Sequence, residues 1–263
     1  MQFIPNYLEC IINGYKLKPI SSYLYGFEIL ISIDQLVNSE QILPILNNSF
    51  NQLCQITLHG YIKNVKEKDD LIEIISDFYG LLFRILKHYP PILLNSELFE
   101  DIIKSGFDNY NNNEEIEMSK NIFSFFRKII SYETLSFFKK IKDKDINIYQ
   151  KYKNIIQKKL ENCSLLLCEK ILKTFLDVPV ESILEYNNDL LKDFIIYQKE
   201  LVINGMKYYI KYISNDILTN KEKEEFIFLI QNFDTKEEEF DEFINNFENR
   251  CESKQIREKG KSN

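Results

Sequence analysis

Apolar residues recur at spacings of three and four along most of this chain, and proline or short polar runs separate the segments in which they do. The pattern is clearest over residues 69–131. Leu71, Ile74, Ile75, Phe78, Leu81, Leu82, Ile85 and Leu86 form one wide helical face. Tyr89-Pro90-Pro91 is expected to stop that helix, because proline lacks the donor and disfavours α geometry in the residue before it. Asn95 or Ser96 then offers an N-cap for a second helix through Leu98, Ile102 and Phe107. The polar run Asn109 to Asn113 separates it from a third, through Ile116, Ile122, Phe125, Phe126 and Ile129.

The same grammar holds on either side. Upstream, the spacing predicts a short entry helix over 5–15, a second over 21–37 and a longer one over 41–64. Downstream it predicts a short helix around Leu135 to Ile141, a charged loop, and separate helices over 148–160 and 163–176. Val178-Pro179 should end the latter. Further helices are expected over 183–186, 190–213, from Thr219 through Phe233, and over 236–250, the last carrying Phe240, Phe243 and Phe247. Residues 253–263 have no apolar face and read as a flexible polar tail.

No segment reads as a strand. Helical pairs return about every 40 to 45 residues, the period of HEAT and armadillo units. The expected fold is therefore all-α: a superhelical α-solenoid of about six such pairs, forming a single array over residues 1–252. A globular helical bundle is the competing architecture.

Composition narrows the chemistry. The net charge is −7, which argues against the basic stripe of a direct nucleic-acid binder and leaves open a basic partner protein. Five cysteines without CxxC spacing, together with no visible signal peptide, point to a reducing compartment. No apolar run is long enough for a membrane span. With 7 glycines there is little material for a phosphate-cradling loop, and no nucleophile or cofactor motif is present. Two histidines, His59 and His88, without cysteine partners at ligand spacing argue against a metal. The expectation is a protein that is not an enzyme and carries no cofactor.

Several side chains together resemble a family. Asp69-Asp70-Leu71 opens a helix that continues through Phe78 and Arg84 and closes at proline. Leu93-Leu94-Asn95-Ser96 follows, and a later helix ends Phe125-Phe126-Arg127-Lys128-Ile129-Ile130. This succession is similar to the C-terminal part of β-karyopherins of the transportin-SR and importin-thirteen branch. Residues 165–179, Leu218-Thr219 with Lys223 and Phe226, and Phe243 with Phe247 and Arg250 fit the later helices of that pattern. The resemblance covers about residues 21–251. It implies a HEAT-repeat nuclear transport receptor, or a segment of one, that binds protein cargo and is found in cytoplasm and nucleus. A contact with the GTPase Ran is implied only for a longer N-terminal array. The alternative is a stand-alone helical-repeat scaffold without transport activity.

In transportin-SR members one helix carries arginines at helical spacing that recognise arginine-serine-rich cargo. At the matching positions this chain keeps Arg84, while Gly80 and His88 stand where two further arginines would be. The candidate cargo-binding residues are Arg84, Lys87 and His88, one turn of the central helix. The acidic clusters Glu114-Glu115 with Glu117, and Glu237-Glu238-Glu239 with Asp241 and Glu242, are read as first-turn residues that favour the positive end of a helix dipole. Cys163 and Cys168 are read as small buried hydrophobes.

Overall fold

Proline at the start, a leucine-isoleucine stripe and a glycine-poor interior make Ile4–Leu17 the first helix, α1. Twelve more follow in the computed structural model, which describes residues 3–62, 68–109, 115–177 and 180–261. They are α2 (Ser21–Ile31), α3 (Asp34–Val37), α4 (Leu43–Gln55), α5 (Lys68–His88), α6 (Pro91–Leu94), α7 (Phe99–Asn109) and α8 (Ile116–Ile130). The remainder are α9 (Ser136–Lys144), α10 (Ile146–Asp177), α11 (Glu181–Tyr209), α12 (Asn220–Gln231) and α13 (Glu237–Lys261). The fold is all-α, and no strand occurs among the described residues. The chain divides into two compact units, Met1–Lys159 and Leu160–Asn263, where the sequence reading expects one array over 1–252.

In the first unit α5 packs against α8 and α2, and α1 packs against both α2 and α4. Beyond Gln55 the backbone widens into a π-helical stretch, Ile56–Tyr61, in which the Ile62 amide donates to the Thr57 carbonyl five residues back at 2.9 Å. This stretch reaches α7 and α5. α5 is the best-buried part of the unit: Phe78, Tyr79, Leu82, Ile85 and Leu86 are fully covered, as the three-four spacing predicts. Tyr79 donates its hydroxyl to the Ile102 carbonyl at 2.6 Å, and burial pushes its pKa far up. The buried hydroxyls of Thr57 and Tyr15 satisfy each other at 2.9 Å.

Two breaks differ from the sequence reading. The helix expected over 21–37 ends at Ile31, because Ile33 is extended, and resumes as the single turn α3. Pro90 and Pro91 stop α5 yet start the turn α6, whose four residues are all buried. Ser96, expected as a cap, accepts from the Leu98 amide at 3.2 Å and donates to Asn51 at 2.7 Å. The polar run expected to separate α7 from α8 lies, beyond Asn109, outside the described residues.

Two pairs of expected helices are single elements. Residues 148–160 and 163–176 belong to one 32-residue helix, α10, capped by Asp145, whose carboxylate accepts from the Asn147 and Ile148 amides at 2.9 and 3.1 Å. Residues 183–186 and 190–209 likewise form one helix, α11, bent at Gln198 (φ −139°, ψ 40°). The Val178-Pro179 stop falls outside the described residues.

In the second unit, α11 lies so close to α10 that a Cβ at Gly205 would sit 2.4 Å from the Cys168 sulfur. Only glycine fits that crossing. Cys168 is buried as expected and its thiol is pushed up to about 12 by that burial; Cys163 is half-buried. Asn187 turns inward and donates to the Ile171 carbonyl at 3.2 Å. Phe226 of α12 stacks on Phe240 and Phe243 of α13. Thr219 opens α12 with a reciprocal capping box: the Glu222 amide donates to its hydroxyl, and its own amide and hydroxyl donate to the Glu222 carboxylate at 2.8 and 2.7 Å. The residues read as a tail continue α13 to Lys261, and Gln255 donates to the Asp177 carbonyl at 2.9 Å.

Candidate groove across the central helix

The polar edge of α5 follows directly from its buried one. With Phe78, Leu82 and Ile85 facing inward, Asp77, Gly80, Arg84, Lys87 and His88 fall on the opposite stripe. α2 and α8 flank that stripe, and the space between them is a groove of about 670 Å³. Arg84, Lys87 and His88 all line it, so the three candidate residues share one surface. α2 contributes Ser22, Tyr25 and Glu28, and α8 contributes Glu117 and Asn121.

Gly80 lines the groove between α2 and α8. A Cβ at Gly80 would meet nothing within 4 Å, so nothing there demands glycine. Leu24, Leu81 and Phe83 supply the apolar part of the lining. Tyr25 is 61% exposed on the wall, where its ring is available to a partner.

Arg84 is already engaged. Its guanidinium lies 3.0 Å from the Glu28 carboxylate, whose side chain is only 17% exposed. Burial raises the Glu28 pKa, and the positive charges of Arg84 and His88 oppose that rise. Elsewhere on the walls Asn121 donates to the Ser76 hydroxyl at 3.0 Å, and Ser21 donates to Glu73 at 3.0 Å. The cations gather at the C-terminal end of α5 and Asp77 sits toward its middle. Ten residues separate Asp77 from Lys87, about 15 Å along the axis at 1.5 Å per residue. With Glu28 beside Arg84 and Glu117 on α8, the lining carries both signs of charge.

Sequence reasoning placed the basic turn and missed the α2 wall. Ser21, Tyr25 and Glu28 follow a three-four spacing complementary to Leu24, Phe27 and Ile31, so the outward stripe of α2 carried a readable signal. Glu117, read as a first-turn residue, does stand in the first turn of α8, and it also lines the groove. Glu114 lies outside the described residues. In the second acidic cluster, Glu237 and Asp241 pair with Lys192 at 3.5 and 2.7 Å. His59 faces Asp101 at 3.2 Å. Among the described residues no group of His, Cys, Asp and Glu is placed to hold a metal ion, and no helix is long and apolar enough to cross a membrane.

Fold and groove together define an all-α protein whose first unit carries a groove across α2, α5 and α8. No protein-family model matches the chain, and no curated protein matches it in sequence.

Proposed function

We propose that this chain is a helical-repeat protein that holds a segment of a partner protein in the groove across α2, α5 and α8, as the cargo-binding part of a nuclear transport receptor. One observation carries the reading: α2, α5 and α8 leave an open groove in which Arg84, Lys87 and His88 stand together beside the exposed Tyr25. Stacked helical pairs use such continuous surfaces for protein partners. The resemblance to the transportin-SR and importin-thirteen branch supplies the transport part of the proposal.

Arginine-serine cargo is a poor fit for the groove. Recognition of phosphate or of many carboxylates uses several free guanidinium forks, and here Gly80 offers none while Arg84 is held by Glu28. A segment of mixed charge better suits a lining that carries both signs. These same two features favour the second reading, a scaffold that assembles proteins without moving them.

A photo-crosslinking residue at Ser22, which is exposed on the groove wall, separates these readings. A partner captured by the wild-type background and lost with Arg84→Glu is the expected result. For a transport receptor, removing the protein from cells shifts that partner's ratio between nucleus and cytoplasm. An unchanged ratio with a lost assembly makes the protein a scaffold. Capture that is indifferent to Arg84→Glu removes the groove from the reading altogether.

A further inference from the structure

A second groove, in the second unit, has a different character. It holds about 550 Å³ between the C-terminal end of α11 and the outer side of α12. Ile210, Ile227 and Phe228 form its apolar floor, and Lys207, Lys211 and Lys223 stand around it. Glu224 is the one carboxylate in this lining. A concentration of lysines is unexpected on a chain of net charge −7.

The three lysines are not equivalent. Lys223 is spent on the fold, donating to the Ile213 carbonyl at 2.5 Å and to Asn215 at 2.9 Å. Lys207 and Lys211 have no carboxylate partner among the described residues. Lys211 instead stands over the rings of Tyr208 and Tyr212, 4.5 and 5.0 Å from their centroids. Both lysines lie at the negative end of the α11 dipole, which holds cations there before any partner arrives. Large aromatic surface is left open around them: Tyr212 is 68% exposed, Phe228 49% and Tyr208 47%.

We propose that this groove binds an acidic peptide segment of a partner protein. Its carboxylates meet Lys207 and Lys211, and a branched or aromatic side chain enters between Ile210, Ile227 and Phe228. Charge decides between occupants. A long polyanion or an anionic bilayer extends beyond one Debye length, about 8 Å at physiological salt, and meets the acidic remainder of the chain. A short acidic segment feels only the local lysines. The apolar floor adds a requirement that a phosphate backbone does not meet.

The test uses the full chain and a fluorescein-labelled dodecapeptide, EEDLFEEDLFEE, read by anisotropy. Binding is expected, with an affinity that falls as salt rises and drops by about tenfold or more in the Lys207→Glu/Lys211→Glu double variant. Phe228→Ala, at a half-exposed position, should weaken it while leaving the circular dichroism unchanged. Arg84→Glu should leave it unaltered. The proposal is overturned if the peptide fails to bind, if the double variant binds it as well as wild type, or if Arg84→Glu abolishes binding. Tighter binding of oligothymidylate or of phosphatidylserine vesicles than of the peptide also overturns it, in favour of nucleic acid or membrane.

Discussion

The two units use glycine and charge in opposite ways. In the first, Gly80 faces open space on α5 and lines a groove. In the second, Gly205 is pressed onto Cys168, and its missing side chain lets two long helices meet. The cations differ in the same sense. Arg84 is offset by a nearly covered Glu28, whereas Lys207 and Lys211 line an apolar floor with no carboxylate partner among the described residues, and Lys211 stands over two tyrosine rings. A basic turn on a helix therefore says little about availability until the helices facing it are known. Arg84, on which the expected cargo contact rests, is the one already paired, and the freer cations lie in a stretch that drew no functional expectation.

Substitution at the two glycines tests this contrast most directly. Gly205→Ala places a methyl group at a distance real contacts do not tolerate, and we expect a loss of about 1–3 kcal/mol in urea unfolding from the overpacked crossing. Wild-type stability in that variant would mean that α10 and α11 are less tightly held than their geometry states.

Acid response is the next largest effect. Hydrogen bonds from the Thr219 hydroxyl, and then from its amide and Arg250, hold the Glu222 carboxyl below its ordinary value. A lowered carboxylate contributes stability above its unfolded pKa, and that contribution is lost as pH falls through the folded one. Glu28 has the opposite sign: burial raises it, so its contribution is present at low pH and fades as pH rises through its folded value. Melting temperature against pH should therefore lose part of its acid-side slope in Glu222→Gln, and part of its slope above the ordinary carboxylate range in Glu28→Gln. Thr219→Ala, which breaks the same capping box, should cost about 1 kcal/mol at neutral pH.

The smallest effect has the other sign. Gly80→Ala should stabilise by about 0.5–1 kcal/mol, because alanine is the better helix former and its methyl enters empty space. A destabilised Gly80→Ala would show that the groove is tighter than the open space around Gly80 indicates.

Much of this was legible in the residues. α5, α8 and the Thr219 start of α12 stand where spacing and caps placed them, because a long amphipathic stripe with clear ends leaves one arrangement. The merged helices were hidden by local polarity. Glu161 and Asn162 interrupt the apolar run of α10, yet both are exposed and neither breaks helix geometry. Tyr186-Asn187-Asn188-Asp189 has the composition of a loop, but Asn187 is buried against α10 and finds the Ile171 carbonyl. Tertiary contact supplied what the local pattern lacked. The groove was half legible: the basic turn was visible on one helix, while Glu28, which neutralises its arginine, lies 56 residues away in sequence (84 − 28). Nothing in the spacing of α11 joined Lys207 and Lys211 to Phe228, because that groove exists only where α12 folds back.

The π-helical stretch at Ile56–Tyr61 bears on how such a chain tolerates change in length. A wider turn accommodates one residue more than a regular one, so the stretch has the form of an absorbed insertion. Deleting a single residue elsewhere in a helix rotates every later side chain by about 100°, which in α5 would carry Arg84 and its neighbours out of register with Phe78. The same deletion within 56–61 would instead relax the widened turn to ordinary pitch. The π-helical stretch thus gives the first unit its own slack, and insertions or deletions can collect there while the face that carries the groove keeps its phase.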